Sequence, residues 1–158
     1  MPNPLSSRVL WQSPAGEPIA ARIAVAGDFL PAGRLRTPPG HTWQSMAELI
    51  APVFQDVDIG IANLETVLDS SGLEPRLLHG LGDIVSAPSG SLDYLVELRL
   101  NILGIANNHS FDFGAAGLTG TLASISARGL RPLGAARTLR DSPDVFLWQG
   151  PQNLRVGF

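Results

Sequence analysis

The sequence predicts an α/β domain built around a mostly parallel β-sheet. Short apolar runs of β-type composition alternate with stretches that repeat apolar residues at helical spacing, which is typical of βαβ units. Three of these runs end in small residues followed at once by carboxylate, amide or imidazole side chains: Ala21–Asp28, Asp58–Glu65 and Leu100–Gly114. With 158 residues, 44% of them hydrophobic, the chain has the size of one domain with a substantial core.

The composition argues against several classes of partner. The formal net charge is −3, whereas a nucleic-acid-binding surface needs clustered lysine and arginine. There is no cysteine, which excludes disulfides and thiolate metal sites. No run approaches the roughly 20 apolar residues of a membrane span, and Met1–Gly16 lacks the continuous apolar segment of a signal peptide. As written, the chain is expected to be cytoplasmic, and any association with the membrane or envelope would run through other components.

The first half of the chain predicts two strands with a helix between them. Ile19–Ala26 is the first strand. Thr42 is a suitable N-cap for a helix over Trp43–Ala51. Pro52 is expected to kink or end that helix, whose apolar stripe is predicted to face the core. Val57–Leu64 is the second strand.

Two stretches of the same half lack a regular pattern. Met1–Pro18 is rich in proline and serine and is interpreted as an N-terminal arm, with a first hairpin strand at Val9–Gln12 as the alternative. Thr66–Pro88 has weak periodicity, and long connections of this kind often form functional rims or lids. It contains His79 and Asp83, whose spacing does not mark them as metal ligands.

The second half continues the alternation. Ser91 is expected to cap a helix that ends near Arg99, and the apolar run that begins at Leu100 is read as a buried strand. A third helix is predicted over Leu118–Arg128, with Gly129 as its C′ residue.

The last part of the chain predicts three further strands. Leu130–Gly134 follows the third helix, and a polar turn comes next. Val145–Gln149 and Leu154–Phe158 flank a short polar segment and are read as a hairpin. The chain stops within an apolar run, so it is expected to be cut.

The polar residues after the three runs predict one site. Ligands of open α/β sheets bind outside the carboxyl ends of parallel strands, where Asp28, Asn63, Glu65, Asn108 and His109 would meet. Carboxylate, amide and imidazole ligands suit Mn, Zn, Fe or Mg. Two such ions on the order of 4 Å apart clamp the attacking and leaving oxygens of a hydrolysis. Asp28 or Glu65 could supply the bridging carboxylate, while Asn108 is a weak ligand outside this context.

His109 and Asp112 suggest acid–base chemistry beside such a metal. A histidine with a near-neutral pKa can protonate a leaving group, and Asp112 could orient that imidazole through its other nitrogen. The alternative is that these polar residues simply satisfy backbone groups in turns, as Asn and Asp often do. Ser110 is not a credible nucleophile because the G-x-S-x-G elbow is missing. The chain also lacks a Walker A motif and a dinucleotide-binding fingerprint.

Several motifs resemble the CapA family, the poly-gamma-glutamate capsule biosynthesis proteins of bacteria. They are A-G-D-F-L at Ala26–Leu30, A-N-L-E at Ala62–Glu65 and A-N-N-H-S-F-D-F-G at Ala106–Gly114, with P-L-G-A at Pro132–Ala135. The resemblance covers the chain from about Ile19 to its end. It implies a calcineurin-like metallophosphoesterase fold, an αββα sandwich with its site at the strand ends.

The resemblance also implies roles for individual residues. Asp28, Glu65 and Asn108 look like metal ligands, and His109 looks like the catalytic acid. Three further residues look like supporting or substrate-facing groups: Asn63, Asn107 and Asp112. Asp112 is assigned to catalysis together with His109. Asn63 and Asn107 are assigned to substrate binding. The implied cofactor is a divalent metal (Mn, Zn, Fe or Mg), with two ions in a complete domain.

Two departures from the family pattern stand out. Phe29-Leu30-Pro31 follows Asp28, so the histidine of the first phosphoesterase motif is missing, as is usual in the capsule family. No histidine follows His109, whereas related metal sites are completed by later histidines. The chain therefore divides into an arm over residues 1–18 and, over residues 19–158, the N-terminal part of a CapA-like domain, truncated after about half of it. Arg99 also stands where glycine would be typical.

The leading functional expectation is a metal-dependent hydrolase of capsule or cell-envelope polymer metabolism. Its substrate would be an anionic polymer or a phosphoester, cleaved at a phosphoester or amide bond. The rival is a non-catalytic polymer-binding or assembly component that holds a polyanion without metal. A third alternative is an inactive fragment whose exposed sheet edge is covered by a partner chain.

Overall fold

The chain folds as an α/β domain whose core is a parallel sheet, which confirms the fold class predicted at that level. The structure is a computed structural model and describes residues 19–31, 42–76, 84–138, 140–141 and 145–158. Its elements in chain order are β1 (Ile23–Phe29), α1 (Trp43–Phe54), β2 (Ile59–Leu64), β3 (Val67–Leu68), β4 (Ser86–Ala87), α2 (Leu92–Glu97), β5 (Ile102–Gly104), α3 (Gly114–Ala127), β6 (Arg131–Leu133), β7 (Leu147–Gln149) and β8 (Arg155–Gly157).

Four strands form the main sheet in the order β1-β2-β5-β6, and every neighbouring pair is parallel. Parallel neighbours require crossover connections, which α1, α2 and α3 provide. Two short additional sheets accompany it, the parallel pair β3–β4 and the antiparallel hairpin β7–β8. The carboxyl ends of β1, β2 and β5 therefore lie side by side at one edge.

Strand β1 begins four residues later and ends three residues later than the sequence predicts. The strand was predicted over Ile19–Ala26, but it spans Ile23–Phe29 and carries Gly27 and Asp28 within it. Its register against β2 shifts between Val25 and Asp28, so pairing resumes only at Asp28 opposite Asn63. Such an irregularity re-aims side chains next to a site.

Helix α1 begins as predicted and ends later. Thr42 caps it: the hydroxyl accepts a hydrogen bond from the Ser45 amide at 3.1 Å, and the Ser45 hydroxyl accepts one from the Thr42 amide at 2.8 Å. Pro52 does not end the helix at once: the helix continues two residues further, to Phe54, so the hydrogen bond that the proline cannot donate is lost only in the last turn. The apolar stripe is only partly buried: Ala47 is 5% exposed, whereas Ile50 is 41% exposed.

Helix α2 ends in a Schellman motif. The Arg99 amide donates to the Val96 carbonyl at 3.0 Å and the Leu100 amide to the Leu95 carbonyl at 2.9 Å. Arg99 is the C′ residue with φ +57°, which explains why glycine would be typical there. The predicted side-chain cap at Ser91 is wrong, since its hydroxyl instead donates to the Pro88 carbonyl at 2.7 Å.

Helix α3 begins one turn earlier than predicted. Its first residue is Gly114, at φ +63°. The first two turns contain three glycines, and because glycine has a low helix propensity the sequence does not predict a helix there. Its C-terminus is as predicted, because Gly129 occupies C′ with φ +70°. Inside the helix, the buried Thr121 hydroxyl accepts a hydrogen bond from the Leu68 amide at 2.9 Å and so ties α3 to β3.

The core lies on one face of the sheet. A single buried cluster joins residues of all three helices to Ala62 and Leu103, which are register partners and so share a face. On the opposite face Val25 of β1 is 75% exposed, whereas Ile102 of β5, which lies in the same register row with Ile61 of β2 between them, is 3% exposed. The predicted hairpin is confirmed as β7–β8 and adjoins that second face, since the Arg131 guanidinium lies 4.6 Å from the centre of the Phe146 ring.

Some predictions fall outside the described residues: those for the arm over residues 1–18, for its alternative strand at Val9–Gln12, and for His79 and Asp83. Within the described residues, no helix has the length and apolar character needed to cross a bilayer.

Candidate functional site at the strand ends

The structure brings the predicted strand ends together. Asp28 pairs in register with Asn63, and Asn63 pairs with Gly104, three residues before Asn107. The Glu65 amide donates to the Phe29 carbonyl at 3.1 Å, which places Glu65 beside the end of β1. Three segments far apart in the sequence thus contribute side chains to one edge, because their strands are parallel and adjacent.

Asn63 and Asn107 connect these segments through their side-chain amides. The Asn63 Nδ2 donates to Asp28 Oδ1 at 2.8 Å, and the Asn107 Nδ2 donates to Asn63 Oδ1 at 3.1 Å. The Asn107 Nδ2 also donates to the Leu64 carbonyl at 2.9 Å. An amide both donates and accepts, so the two asparagines form a directional chain that ends on the Asp28 carboxylate.

The turn after β5 holds His109 in place. The Asn107 Oδ1 accepts a hydrogen bond from the His109 amide at 3.1 Å. The Ser110 hydroxyl accepts one from the Asn107 amide at 3.2 Å and donates to the Ile105 carbonyl. Ser110 therefore shapes the turn, a role that the sequence reasoning did not assign to it.

His109 and Asp112 form the closest pair of ionisable groups at the site. Nδ1 of His109 lies 2.8 Å from Asp112 Oδ2, and the two side chains are 16% and 12% exposed. The carboxylate can only accept, so Nδ1 carries the proton and Nε2 is left for other partners. The same Asp112 oxygen accepts the amide of Val85 at 2.8 Å. Asp112 thus fixes the imidazole and anchors the segment before β4.

Arg76 is a neighbour that sequence reasoning missed. Its amide donates to the Asp112 carbonyl at 2.6 Å, which ties residue 76 to the turn that carries His109. Its side chain crosses Gly114, where an added Cβ would lie 3.1 Å from the arginine Cδ. The available signal was Gly114 itself, since a glycine at the start of a helix can mark a close approach. Nothing in the sequence named the group that approaches.

The three side chains predicted as metal ligands differ in exposure. Asn108 is exposed and Glu65 is half-buried, while Asp28 is exposed at the end of β1. In the ranges that the structure describes, no three His, Cys, Asp or Glu side chains converge as a metal-ligand set. The oxygen donors at this edge are two carboxylates, Asp28 and Glu65, with amide oxygens beside them. This donor chemistry fits a hard divalent cation that keeps waters in its coordination shell.

Asp28 also borders an apolar cavity of about 220 Å³ between α1, α2 and the sheet. The cavity wall includes Met46, Ile50, Phe54 and Tyr94. Asp28 thus contributes its carboxylate to the asparagine chain and as a residue also borders this cavity. All buried side-chain polar atoms in the described part of the chain have hydrogen-bond partners.

Comparison with known proteins places the chain in a family. It is 31% identical over 111 residues to a "Probable polyglutamine synthesis accessory protein" of Mycobacterium tuberculosis strain CDC 1551 / Oshkosh, and equally to a protein of the same description in strain ATCC 25618 / H37Rv. The alignment covers 68% of this chain but 27% of each relative, so the chain spans only about a quarter of their length. The family model for the bacterial capsule synthesis protein PGA_cap matches residues 22–158. The chain therefore belongs to the bacterial capsule synthesis family, as the CapA-like motifs predicted.

Proposed function

We propose that this protein is a metal-dependent hydrolase that cleaves a phosphoester or amide bond in the synthesis of an anionic capsule or envelope polymer. The observation that carries the proposal is the continuous hydrogen-bonded array from Asp28 through Asn63 and Asn107 to the His109–Asp112 pair. A purely structural turn does not need a carboxylate, two amides and an oriented imidazole linked across three strands.

Asp28, Glu65 and Asn108 would hold the divalent metal. Oxygen donors of this kind favour Mn or Mg among the candidates Mn, Zn, Fe and Mg, because Zn prefers histidine and cysteine ligands. A bound cation would polarise the scissile group and stabilise the charge that develops on it. Asn63 would keep the Asp28 carboxylate oriented, since it donates to one of its two oxygens.

His109 would protonate the leaving group. Asp112 holds Nδ1, so the protonated imidazole presents its Nε2–H outward to the substrate. The carboxylate orients the ring through this hydrogen bond, as in other histidine–aspartate pairs. Asn63 and Asn107 would contact substrate through the amide hydrogen-bonding positions that are not used within the array.

The test uses the full-length gene product with Mn²⁺ or Mg²⁺. His109→Ala should lower turnover of a phosphoester or γ-glutamyl substrate by roughly 10²- to 10⁴-fold and leave the bound metal in place. Asp28→Asn combined with Glu65→Gln should lower the metal content itself. Arg155→Gln, an exposed change in β8, is the matched control and should alter neither quantity. Unchanged turnover in His109→Ala overturns the assignment.

The second candidate is a non-catalytic component that binds the polymer. The names of the two relatives favour it, because both are described as accessory proteins. In this case metal content would be negligible in the parent protein and identical in the Asp28→Asn, Glu65→Gln double variant. Metal analysis thus separates the two functions without relying on an assay of turnover.

The finer architecture proposed is the αββα sandwich of metallophosphoesterases. It is supported by the placement of all three helices against one face of the sheet, because a sandwich leaves the other face for a second sheet. That other face carries Val25, which is 75% exposed, and hairpin β7–β8 adjoins it through Phe146.

A further inference from the structure

We propose that Arg76 is an anion-binding residue of this site, and that its guanidinium holds a carboxylate or phosphate oxygen of the substrate beside His109. The proposal rests on the proposed function in one respect, since it assumes that the strand-end site is where the anionic substrate binds. It assigns the substrate's charge a specific partner in this chain.

Arg76 is hydrogen-bonded to the same residue that positions His109. Its amide donates to the Asp112 carbonyl at 2.6 Å, and the side chain of the same Asp112 holds His109 at 2.8 Å. Arg76 and the proposed general acid are thus attached to opposite ends of one residue. The first of these hydrogen bonds holds the backbone of Arg76 beside the turn that carries His109.

The Arg76 side chain packs directly against the backbone of Gly114. It crosses Gly114 so closely that an added Cβ would lie 3.1 Å from its Cδ and 3.2 Å from its Nε. Gly114 is buried and has φ +63°, so a side chain at this position is disfavoured by both the backbone and the arginine. The glycine leaves a channel for the arginine stem and directs the guanidinium along the turn at the start of α3.

The charge of Arg76 is opposite to that of the carboxylates around it. Asp28, Glu65 and Asp112 make this edge of the sheet negative, which opposes the approach of an anionic substrate. Arg76 is exposed, and in the part of the chain that the structure describes no carboxylate forms an ion pair with it. Its planar fork matches a carboxylate or phosphate in bidentate geometry, which an ammonium group does not. The guanidinium therefore offsets the carboxylates at the point where substrate must enter.

The experiment titrates two probes into the full-length gene product by calorimetry: a short γ-linked glutamate oligomer and a phosphate monoester. We expect Arg76→Gln to weaken binding of the preferred probe at least tenfold and to reduce the dependence of affinity on salt. Arg76→Lys should lose part of that affinity, because it keeps the charge and stem but not the fork. The probe with the larger loss identifies the anion as carboxylate or phosphate.

Arg155→Gln is the matched control, an exposed arginine in hairpin β7–β8, and should bind both probes as the parent does. Gly114→Ala is a second variant that leaves the charge in place but obstructs the arginine stem, and it should also weaken binding. Equal affinity in Arg76→Gln and the parent overturns the proposal, as does an equal loss in Arg76→Gln and Arg155→Gln. The absence of measurable binding of either probe by the parent overturns it as well.

The proposed hydrolase function can fail separately. If Arg76→Gln weakens binding while the parent shows no metal-dependent turnover, the anion site is supported and the hydrolase is not. If turnover is present and depends on His109 while Arg76→Gln leaves KM and kcat unchanged, the hydrolase is supported and Arg76 has no part in binding.

Discussion

Asn63 shows why an amide rather than a carboxylate stands near the end of β2. Its Nδ2 donates to Asp28 Oδ1 while its Oδ1 accepts from Asn107. An aspartate at this position could accept from Asn107 but could only repel Asp28, because an ionised carboxylate has no proton to donate. The asparagine therefore transmits a fixed orientation from the turn after β5 to the carboxylate at the end of β1.

Arg99 and Gly129 allow the energetic cost of a left-handed backbone conformation to be measured. Both are C′ residues of Schellman motifs, with φ +57° and φ +70° respectively. Arg99→Gly should stabilise the chain by about 1 kcal/mol, because only glycine adopts this region without steric cost. Gly129→Ala should destabilise it by a similar amount, since an added Cβ meets nothing within 4 Å and the cost is conformational alone. Urea unfolding of both variants measures the difference, and a loss of stability in Arg99→Gly would contradict the interpretation.

Asp69 supplies a pH-dependent contribution to stability. The hydroxyl and the backbone amide of Ser89 donate hydrogen bonds to its carboxylate and hold the pKa of Asp69 below its usual value. A carboxyl whose pKa is lowered by folding stabilises the native state above its unfolded pKa of about 3.9, and this stabilisation is lost as pH falls toward the folded pKa.

Asp69→Asn should therefore be less stable than the parent at pH 7 and should differ less from it at about pH 3. Asparagine is the suitable replacement because Asp69 has φ +51°, which asparagine tolerates. Because the side chain is exposed, solvent screening keeps the effect small. Urea unfolding at both pH values tests the sign, and a gap between the two proteins that widens on acidification would refute it.

At the level of elements, helix α3 lies unusually close to its neighbours. A Cβ added at Gly117 would lie 2.7 Å from Phe113 Cβ and 3.0 Å from Val67 Cγ1, whereas one added at Gly120 meets nothing within 4 Å. The two glycines belong to the same helix but face different surroundings. Gly117 is required for packing, while Gly120 only lowers helix propensity.

Replacing each glycine by alanine separates these two effects. Gly120→Ala should stabilise the chain by up to about 1 kcal/mol through helix propensity. Gly117→Ala gains the same propensity but forces α3 away from β3, and it should be destabilising by about 1–3 kcal/mol. Thermal and urea unfolding of the pair test this, and equal effects of the two substitutions would show that packing at Gly117 is not close.

At the level of the whole molecule, stability is concentrated in the four-stranded sheet. Ile102 and Leu103 in β5 are 3% and 0% exposed, and the buried cluster that contains Leu103 includes residues of all three helices. The described residues of the C-terminal hairpin region, 145–158, include no buried side chain. Elements with few buried apolar groups open at lower free energy than the core.

Amides of β7–β8 should therefore exchange with deuterium well before those of β5. The comparison is best made between Trp148 and Leu103, both within strands but with different burial. Native-state hydrogen exchange at several denaturant concentrations gives the opening free energy of each. Equal opening free energies would mean that hairpin and sheet unfold as one unit.

The sequence predicted much of the fold because the signals for these features are local. The N-cap at Thr42, the C′ glycine at Gly129 and the hairpin near the end each depend on a few adjacent residues. The position of Asn63 next to Asp28 followed from two strands ending in polar residues. Element ends were less predictable: Pro52 lies inside α1, and α3 begins at Gly114, because packing stabilises residues with poor helix propensity.

By itself, the sequence determined the α/β class, the family and the set of polar residues at three strand ends, since periodicity and short motifs act over a few residues. Only the tertiary structure decided which side chains touch. Three features all join residues 27 or more positions apart: the Val85 amide on Asp112, the chain from Asn107 through Asn63 to Asp28, and the path of Arg76 over Gly114. Such contacts depend on register and crossover packing, which no local pattern of residues encodes.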